Sequence, residues 1–316
     1  MTDWIARLNL DSPVGRMMAI TLGILVVATV IVGVLRRAKP GRDFSELAAR
    51  VRSWWIMASV FFAAILVDAR ISLVFFAMLS FWALKEYVTL LDTRPADHRA
   101  LFWAFLAVPI QYVLVGVNWY GMFVLFIPVY MFLFLPLRLV LAREPRGFVR
   151  SASQLQWGLM AFVFGLSHLG ALLVFPEPLP GAGVNGRSLV LFLVFVTEMS
   201  DVLQYIWGKR FGRHKILPEI SPNKTWEGFV GGIVSASLLS LLVRFLTPFS
   251  VLETLGVALL ITTVGFFGGA VMSAIKRDLG VKNFGAIIPG HGGILDRVDS
   301  LCYAAPVFFH YVRYVY

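Results

Sequence analysis

Long apolar runs separated by short polar loops dominate this sequence. A transmembrane helix needs roughly 20 mostly apolar residues, and runs of about this length predict ten spans. They cover residues 17–35, 54–68, 71–90, 100–116, 119–141, 155–175, 187–207, 227–247, 253–275 and 298–315. The second run is short, so a re-entrant or tilted segment is the alternative there. The pattern predicts an all-α, polytopic integral membrane protein with about nine or ten transmembrane helices.

The overall composition agrees with this class. The chain has 316 residues, of which 59% are hydrophobic and 15% are charged, and its mean hydropathy is +0.79. A soluble domain is usually about one quarter charged. The single cysteine, Cys302, excludes an intrachain disulfide and a cysteine-based metal cluster.

The placement of lysine and arginine predicts the orientation in the membrane. Of the 28 basic residues, 22 fall in alternate loops, at 36–53, 85–99, 138–154, 208–226 and 276–297. We expect these loops on the cytoplasmic side and both termini on the other side. The net charge of +10 is therefore mainly a topology signal that also suits an anionic inner leaflet. We expect no nucleic-acid partner, because the basic residues form no soluble module.

We divide the chain after residue 186. Residues 1–186 predict about six N-terminal transmembrane helices that form a scaffold and a lipid cavity. Residues 187–316 predict a C-terminal transmembrane catalytic region with two polar motif loops on the cytoplasmic side. Two isolated polar features lie in the first part. His168 is interpreted as a helix-packing residue, and Lys85–Glu86 as an interfacial pair.

The first polar region runs from Glu198 to Glu227. Glu198 and Asp201 are three residues apart, hence on one helix face. Carboxylates inside a span are costly and usually face a polar cavity or a site. Basic residues follow in "GKRFGRHK" and in "SPNKTWEG", residues 221–228, where Thr225 is placed to cap the next helix.

The second polar region, residues 273–300, carries a glycine-rich stretch and several charges. Residues 289–293, "PGHGG", predict a tight turn whose backbone amides could cradle phosphate oxygens. Asp296 and Asp299 lie three apart where the last span begins. Paired carboxylates beside lysines suit Mg²⁺ and a nucleoside triphosphate. A transporter would hold its charges near the bilayer midplane, whereas these cluster at one face.

Two motifs carry a family resemblance. S-x-x-K-R followed by P-G-H-G-G-x-x-D-R-x-D matches Ser273, Lys276, Arg277 and residues 289–299. The upstream block, from Asp201 through G-[KR]-x-F-G-[KR] to S-P-x-K-T-x-E-G, ends at Gly228. Over about 100 C-terminal residues the chain resembles the phosphatidate cytidylyltransferase (CDP-diacylglycerol synthase) family.

The resemblance implies transfer of CMP from CTP to a lipid phosphate, phosphatidate in that family. It implies Mg²⁺, with room for a second cation, a homodimer, and a bacterial cytoplasmic membrane with the site on the cytoplasmic side. The implied catalytic residues are Asp296, Asp299, Lys276 and Ser273. The implied phosphate-binding residues are Ser221, Lys224, Thr225, Lys209, Arg213, Arg277, Lys282, His291, Gly292, Gly293 and Arg297. The implied metal ligands are Asp296, Asp299, Asp201 and Asp278.

The sequence departs from the family at three positions that are usually acidic. They are Gly269, Met272 and Asn283. We expect Asp278 or Glu198 to substitute for a missing carboxylate. Two alternatives follow from the departure. One is the same chemistry on a different lipid phosphate, and the other is a catalytically weakened lipid-binding or transport protein.

Overall fold

The computed structural model describes residues 11–39, 41, 43–176, 179–181, 183–288, 290 and 292–316. Helices dominate this part of the chain. In chain order the elements are α1 (Pro13–Ala38), α2 (Ser45–Leu66), α3 (Ala69–Thr89), α4 (Pro95–Gly116), α5 (Tyr120–Val140), α6 (Phe148–Leu173), α7 (Gly186–Phe211), β1 (Lys215–Leu217), β2 (Ser221–Thr225), α8 (Trp226–Leu246), α9 (Val251–Asp278), α10 (Leu295–Val298) and α11 (Leu301–Val315). Short stretches of α5 and α6, Phe126–Met131 and Leu159–Gly165, are wound as π-helix.

Nine helices of the described residues, α1 to α9, are long and apolar enough to cross a membrane. The prediction of an all-α, polytopic membrane protein is therefore confirmed. The short second run, 54–68, lies within α2, which has 22 residues and the length of a full span. Its N-terminal turns contain charged residues, which is why hydropathy alone underestimated its length.

The tenth predicted span differs from the prediction. Residues 298–315 are divided at Asp299 and Ser300 into the end of α10 and the helix α11. Helix α11 has 15 residues, fewer than a spanning helix needs. It packs against α9 and α6, and much of its length is buried. Asp299 and Ser300 keep helical backbone angles, so the division is one of backbone hydrogen bonding, and both residues carry polar side chains.

The loop between α7 and α8 folds into a small antiparallel hairpin. Strands β1 and β2 pair with Lys215 opposite Thr225 and Leu217 opposite Ser221. The Thr225 hydroxyl accepts a hydrogen bond from the Gly228 amide, 3.1 Å away, so the predicted cap of α8 is confirmed. The Glu227 carboxylate accepts the amide of Arg213 at 3.0 Å and contacts the His214 ring at 2.6 Å. These contacts fix the hairpin to the start of α8.

Helices α7, α8 and α9 pack against one another, and α11 packs against α7 and α9. At the hairpin end the backbones of α7 and α8 approach closely, and a Cβ at Gly208 would lie 3.3 Å from the Thr225 hydroxyl. This packing gathers the polar part of α7, the strand β2 and the end of α9 at one end of the helices. The two motif regions, distant in sequence, therefore meet.

Candidate active site

Three carboxylates from α7 and the α10–α11 break form what we call the acidic cleft: Glu198, Asp201 and Asp299. The Ser300 hydroxyl donates to Asp201 Oδ2 at 2.9 Å, and the Ser300 amide donates to Asp299 Oδ1 at 2.8 Å. The charges of Asp201 and Asp299 both act on Glu198. Asp201 is exposed and Asp299 is half-buried, so both are accessible to a ligand. Glu198 and Asp201, on one face of α7, therefore lie beside Asp299.

Basic side chains surround the acidic cleft. Lys224 Nζ donates to the Phe266 carbonyl at 3.1 Å and lies 4.3 Å from the centre of the Phe266 ring. Burial lowers the pKa of Lys224 below its ordinary value, although the charges of Asp201 and Asp299 act in the opposite direction. The positive charge of Arg297 also acts on Asp201. The Nε–H of Arg297 is buried and has no hydrogen-bond partner among the described residues.

Asp296 is engaged inside the protein. Its Oδ1 accepts from Lys276 Nζ at 2.8 Å. Its Oδ2 accepts from the amides of Phe284 and Gly293 at 2.9 and 3.0 Å. The Asp296 side chain is 3% exposed and that of Lys276 is 14% exposed. Sequence reasoning paired Asp296 with Asp299, but the carboxylates that share a hydrogen-bond partner are Asp201 and Asp299.

The glycine-rich stretch forms the predicted tight turn. The amide of Ile288 donates to the Gly292 carbonyl at 2.8 Å, and the Gly292 amide donates back at 3.1 Å. Gly290 and Gly292 have φ values of +76° and +86°, which glycine adopts without strain. The amides of Gly292 and Gly293 are therefore satisfied within the loop rather than presented to a ligand. His291 lies outside the described residues.

The structure separates the other predicted site residues into two groups. Arg277 Nε donates to the Ile220 carbonyl at 3.2 Å and links α9 to the hairpin. The Ser273 hydroxyl donates to the Gly269 carbonyl at 2.7 Å within α9. Thr225 is buried, so its hydroxyl serves the cap, and Ser221 is half-buried in β2. Three basic side chains are exposed on the flanks: Lys209, Arg213 and Lys282.

The two proposed substitutes for a missing acid occupy different environments. Asp278 is exposed at the end of α9, and its charge acts on Tyr87. Glu198 lies beside Asp201 and Asp299. Of the two, only Glu198 belongs to the acidic cleft. At Gly269 a Cβ would lie 3.3 Å from Lys224 Nζ and 3.5 Å from the Ser300 hydroxyl, so an acidic side chain there would enter the cleft.

A divalent cation fits this donor set only in part. No three His, Cys, Asp or Glu side chains of the described residues form a ready-made metal site. Mg²⁺, however, is usually held by one or two carboxylates together with water and substrate phosphates. Asp201 and Asp299 supply such a pair, and Asp296 does not, because its oxygens already accept three hydrogen bonds.

Glu86 is a residue of this region that sequence reasoning missed. It lies on α3 and is buried, and its carboxylate accepts the amides of Ile294 and Leu295 at 3.0 and 2.8 Å. The prediction of an interfacial Lys85–Glu86 pair was wrong, because Lys85 Nζ lies over the Trp82 ring instead, at 4.2 Å. An acidic residue inside an apolar run was the available signal. Its partners, the loop amides more than 200 residues away in the chain, could not be predicted from the sequence.

The apolar helices, with the polar cleft at their ends, define a multi-pass membrane protein. Residues 48–315 match the cytidylyltransferase family, and the chain belongs to this family. It is a nucleotidyltransferase. The motif resemblance seen in the sequence is thereby confirmed.

Two kinds of relative are similar to the chain. "Uncharacterized protein YnbB" of Escherichia coli (strain K12) is 44% identical over 94% of this chain and 97% of its own. "Phosphatidate cytidylyltransferase" of Staphylococcus aureus (strain COL) is 41% identical over 39% of this chain and 48% of its own. The protein of the same name from Staphylococcus saprophyticus is 42% identical over 127 residues, again 48% of its length. The chain thus matches about half the length of these named enzymes.

Proposed function

We propose that this protein transfers CMP from CTP to phosphatidate. A phosphate oxygen of the lipid attacks the α-phosphorus of CTP and forms the new P–O bond. The bond from the α-phosphorus to the oxygen that bridges to the β-phosphorus breaks, and pyrophosphate leaves. The products are CDP-diacylglycerol and pyrophosphate.

The juxtaposition of Asp201, Asp299 and Lys224 at the ends of the apolar helices carries this proposal. Two accessible carboxylates and surrounding cations can bind a metal–triphosphate complex. The hydrocarbon region beside them can hold the acyl chains of the second substrate. The names of the Staphylococcus relatives support the choice of phosphatidate.

Each side chain has a role in this proposal. Asp201 and Asp299 would hold Mg²⁺, which would neutralise phosphate charge and polarise the α-phosphorus when bound. Lys224 and Arg297 bind phosphate oxygens through their positive charges, which act on Asp201 in the same cleft. Lys276 holds Asp296, and the pair fixes the glycine-rich turn beside the cleft. Glu198 adds negative charge next to the metal-binding pair.

We place the site on the cytoplasmic side of a bacterial inner membrane. The loops that form it belong to the set that holds most of the lysine and arginine residues. CTP is a cytoplasmic solute, so the site must open to that side. We propose a homodimer as the assembly, by analogy with the family.

The second candidate is the same transfer to a different lipid phosphate. Similarity to the named phosphatidate enzymes covers 39% of the chain, whereas similarity to the uncharacterized relative covers 94%. The part outside the shared region includes the N-terminal helices, which would shape the lipid cavity. The change at Gly269 also alters the cleft itself.

The test uses purified protein in nanodiscs with labelled CTP, Mg²⁺ and phosphatidate. Wild type and the control Asp92→Asn, an exposed loop substitution, are expected to form labelled CDP-diacylglycerol. Asp299→Asn is expected to form none while remaining folded. Bound CTP without product from phosphatidate would favour the second candidate, to be tested with other lipid phosphates. Neither binding nor product would contradict the proposed transfer and leave the weakened lipid-binding or transport protein as the alternative.

A further inference from the structure

The start of α10 is held by two buried carboxylates, those of Asp296 and Glu86. Three successive amides, of Gly293, Ile294 and Leu295, donate to them. Asp296 accepts the first amide from within the same motif. Glu86, on α3 in the N-terminal part of the chain, accepts the other two and is 6% exposed.

The loop backbone and the Glu86 side chain fit each other closely. A Cβ at Gly285 would lie 2.6 Å from Glu86 Oε1, and one at Gly293 would lie 2.7 Å from the carboxylate carbon. Real Cβ atoms do not approach other atoms this closely. A larger residue at either position would therefore require the Glu86 carboxylate to move away from the loop amides.

The position of α10 determines where the cleft residues point. Helix α10 has four residues and continues through the helical backbone of Asp299 and Ser300 into α11. At its free end it is held by the hydrogen bonds to Glu86, which are charge-assisted. Arg297 and Asp299 follow within four residues of the amide of Leu295. A shift of α10 would therefore move the metal-binding and phosphate-binding side chains directly.

We propose that Glu86 is a positioning residue of the nucleotidyl-transfer site, which it supports from α3 through the α10 backbone. Only the expected change in the KM for CTP rests on the proposed function. The anchoring of the loop rests on the hydrogen bonds and the close fit. Glu86 itself need not touch either substrate.

The test compares Glu86→Gln with the neighbouring control Lys85→Gln, whose side chain contacts Trp82 rather than the loop. Gln keeps one acceptor and turns a donor toward an amide. Trypsin cleavage after the exposed Lys282 is expected to accelerate about tenfold, because the loop opens more often. The KM for CTP is expected to rise about fivefold or more per folded molecule. A purely structural role would lower the folded yield and leave this KM unchanged.

A second pair of variants covers the case in which Glu86→Gln does not fold. Gly293→Ala pushes on the carboxylate without removing it and should reproduce both effects. In a Glu86→Ala background the extra methyl has room, so the double variant should be no worse than Glu86→Ala alone. The proposal would be overturned if the effects of Gly293→Ala and Glu86→Ala added in the double variant. It would also be overturned if a folded Glu86→Gln or Gly293→Ala variant kept the wild-type cleavage rate and KM for CTP. If wild type makes no nucleotide product, the proposed function fails, and the cleavage rates still decide the anchoring.

Discussion

Replacement of Asp296 by Asn tests whether this residue anchors the motif loop or binds the metal. The wild-type carboxylate accepts from Lys276 on one oxygen and from two backbone amides on the other. Asn keeps one acceptor and replaces the other by an NH₂ donor. Whichever way it rotates, either the Lys276 ammonium or the two amides lose their acceptor.

The expected loss of stability follows from burial. The Lys276 and Asp296 side chains are 14% and 3% exposed, so little solvent screens the pair. Removal of one partner of a buried ion pair costs about 3 kcal/mol at the lower end of its range. For a chain of this size that lowers the unfolding midpoint by roughly 5 °C. Asp299→Asn keeps the acceptor for the Ser300 amide and should change the midpoint much less.

Thermal unfolding in detergent, followed by tryptophan fluorescence, measures this difference. Lys276→Met completes a double-mutant cycle, in which we expect a coupling energy of about 1 kcal/mol or more. The anchoring role is wrong if Asp296→Asn unfolds at the wild-type temperature and loses only activity. That result would return Asp296 to the metal-binding set with Asp299.

Three further predictions concern the hairpin and the cleft. Gly269→Asp adds a fourth carboxylate to the cleft, beside Lys224, and should lower the Mg²⁺ concentration for half-maximal activity about tenfold. An unchanged Mg²⁺ requirement would show that the missing carboxylate at this position has no bearing on the metal. Burial lowers the pKa of Lys224, so its charge is lost as the pH rises through the lowered value. The KM for CTP should therefore rise at alkaline pH in wild type and stay flat in Lys224→Arg, and identical profiles would exclude Lys224 as the titrating group. Thr225→Ala removes the cap of α8 and should cost about 1 kcal/mol in thermal unfolding, whereas a higher KM for CTP in the folded variant would point to the predicted phosphate role.

The transmembrane helices were predictable because hydropathy and length fix them almost alone. Lipid offers no partners to backbone groups, so an apolar run of sufficient length must be helical. The error in the last span arose where this reasoning does not apply. The helical hydrogen-bond pattern is interrupted at Asp299 and Ser300, beside the polar cleft, and the side chains on either side are buried by protein.

The sequence indicated which residues belong to the candidate site better than it indicated which carboxylates lie together in the fold. Motif spacing identified Asp201, Lys224 and Asp299 as members before any fold was known. Spacing along one segment favoured Asp296 as the partner of Asp299, because sequence neighbours are the pairs that a pattern displays. The pairing in the fold joins Asp299 to Asp201, about 100 residues away, through the hydroxyl of Ser300.

Asp296 and Asp299 lie at the start and the end of one helical turn and have different roles. Lys276 forms an ion pair with Asp296, and its charge also acts on Asp299. Asp296 turns toward the loop amides and is closed off from solvent, while Asp299 remains accessible. A carboxylate that must stay free to bind a cation cannot also hold a glycine-rich loop. The buried acids Asp296 and Glu86 hold the loop, and this leaves Asp201 and Asp299 available for a ligand.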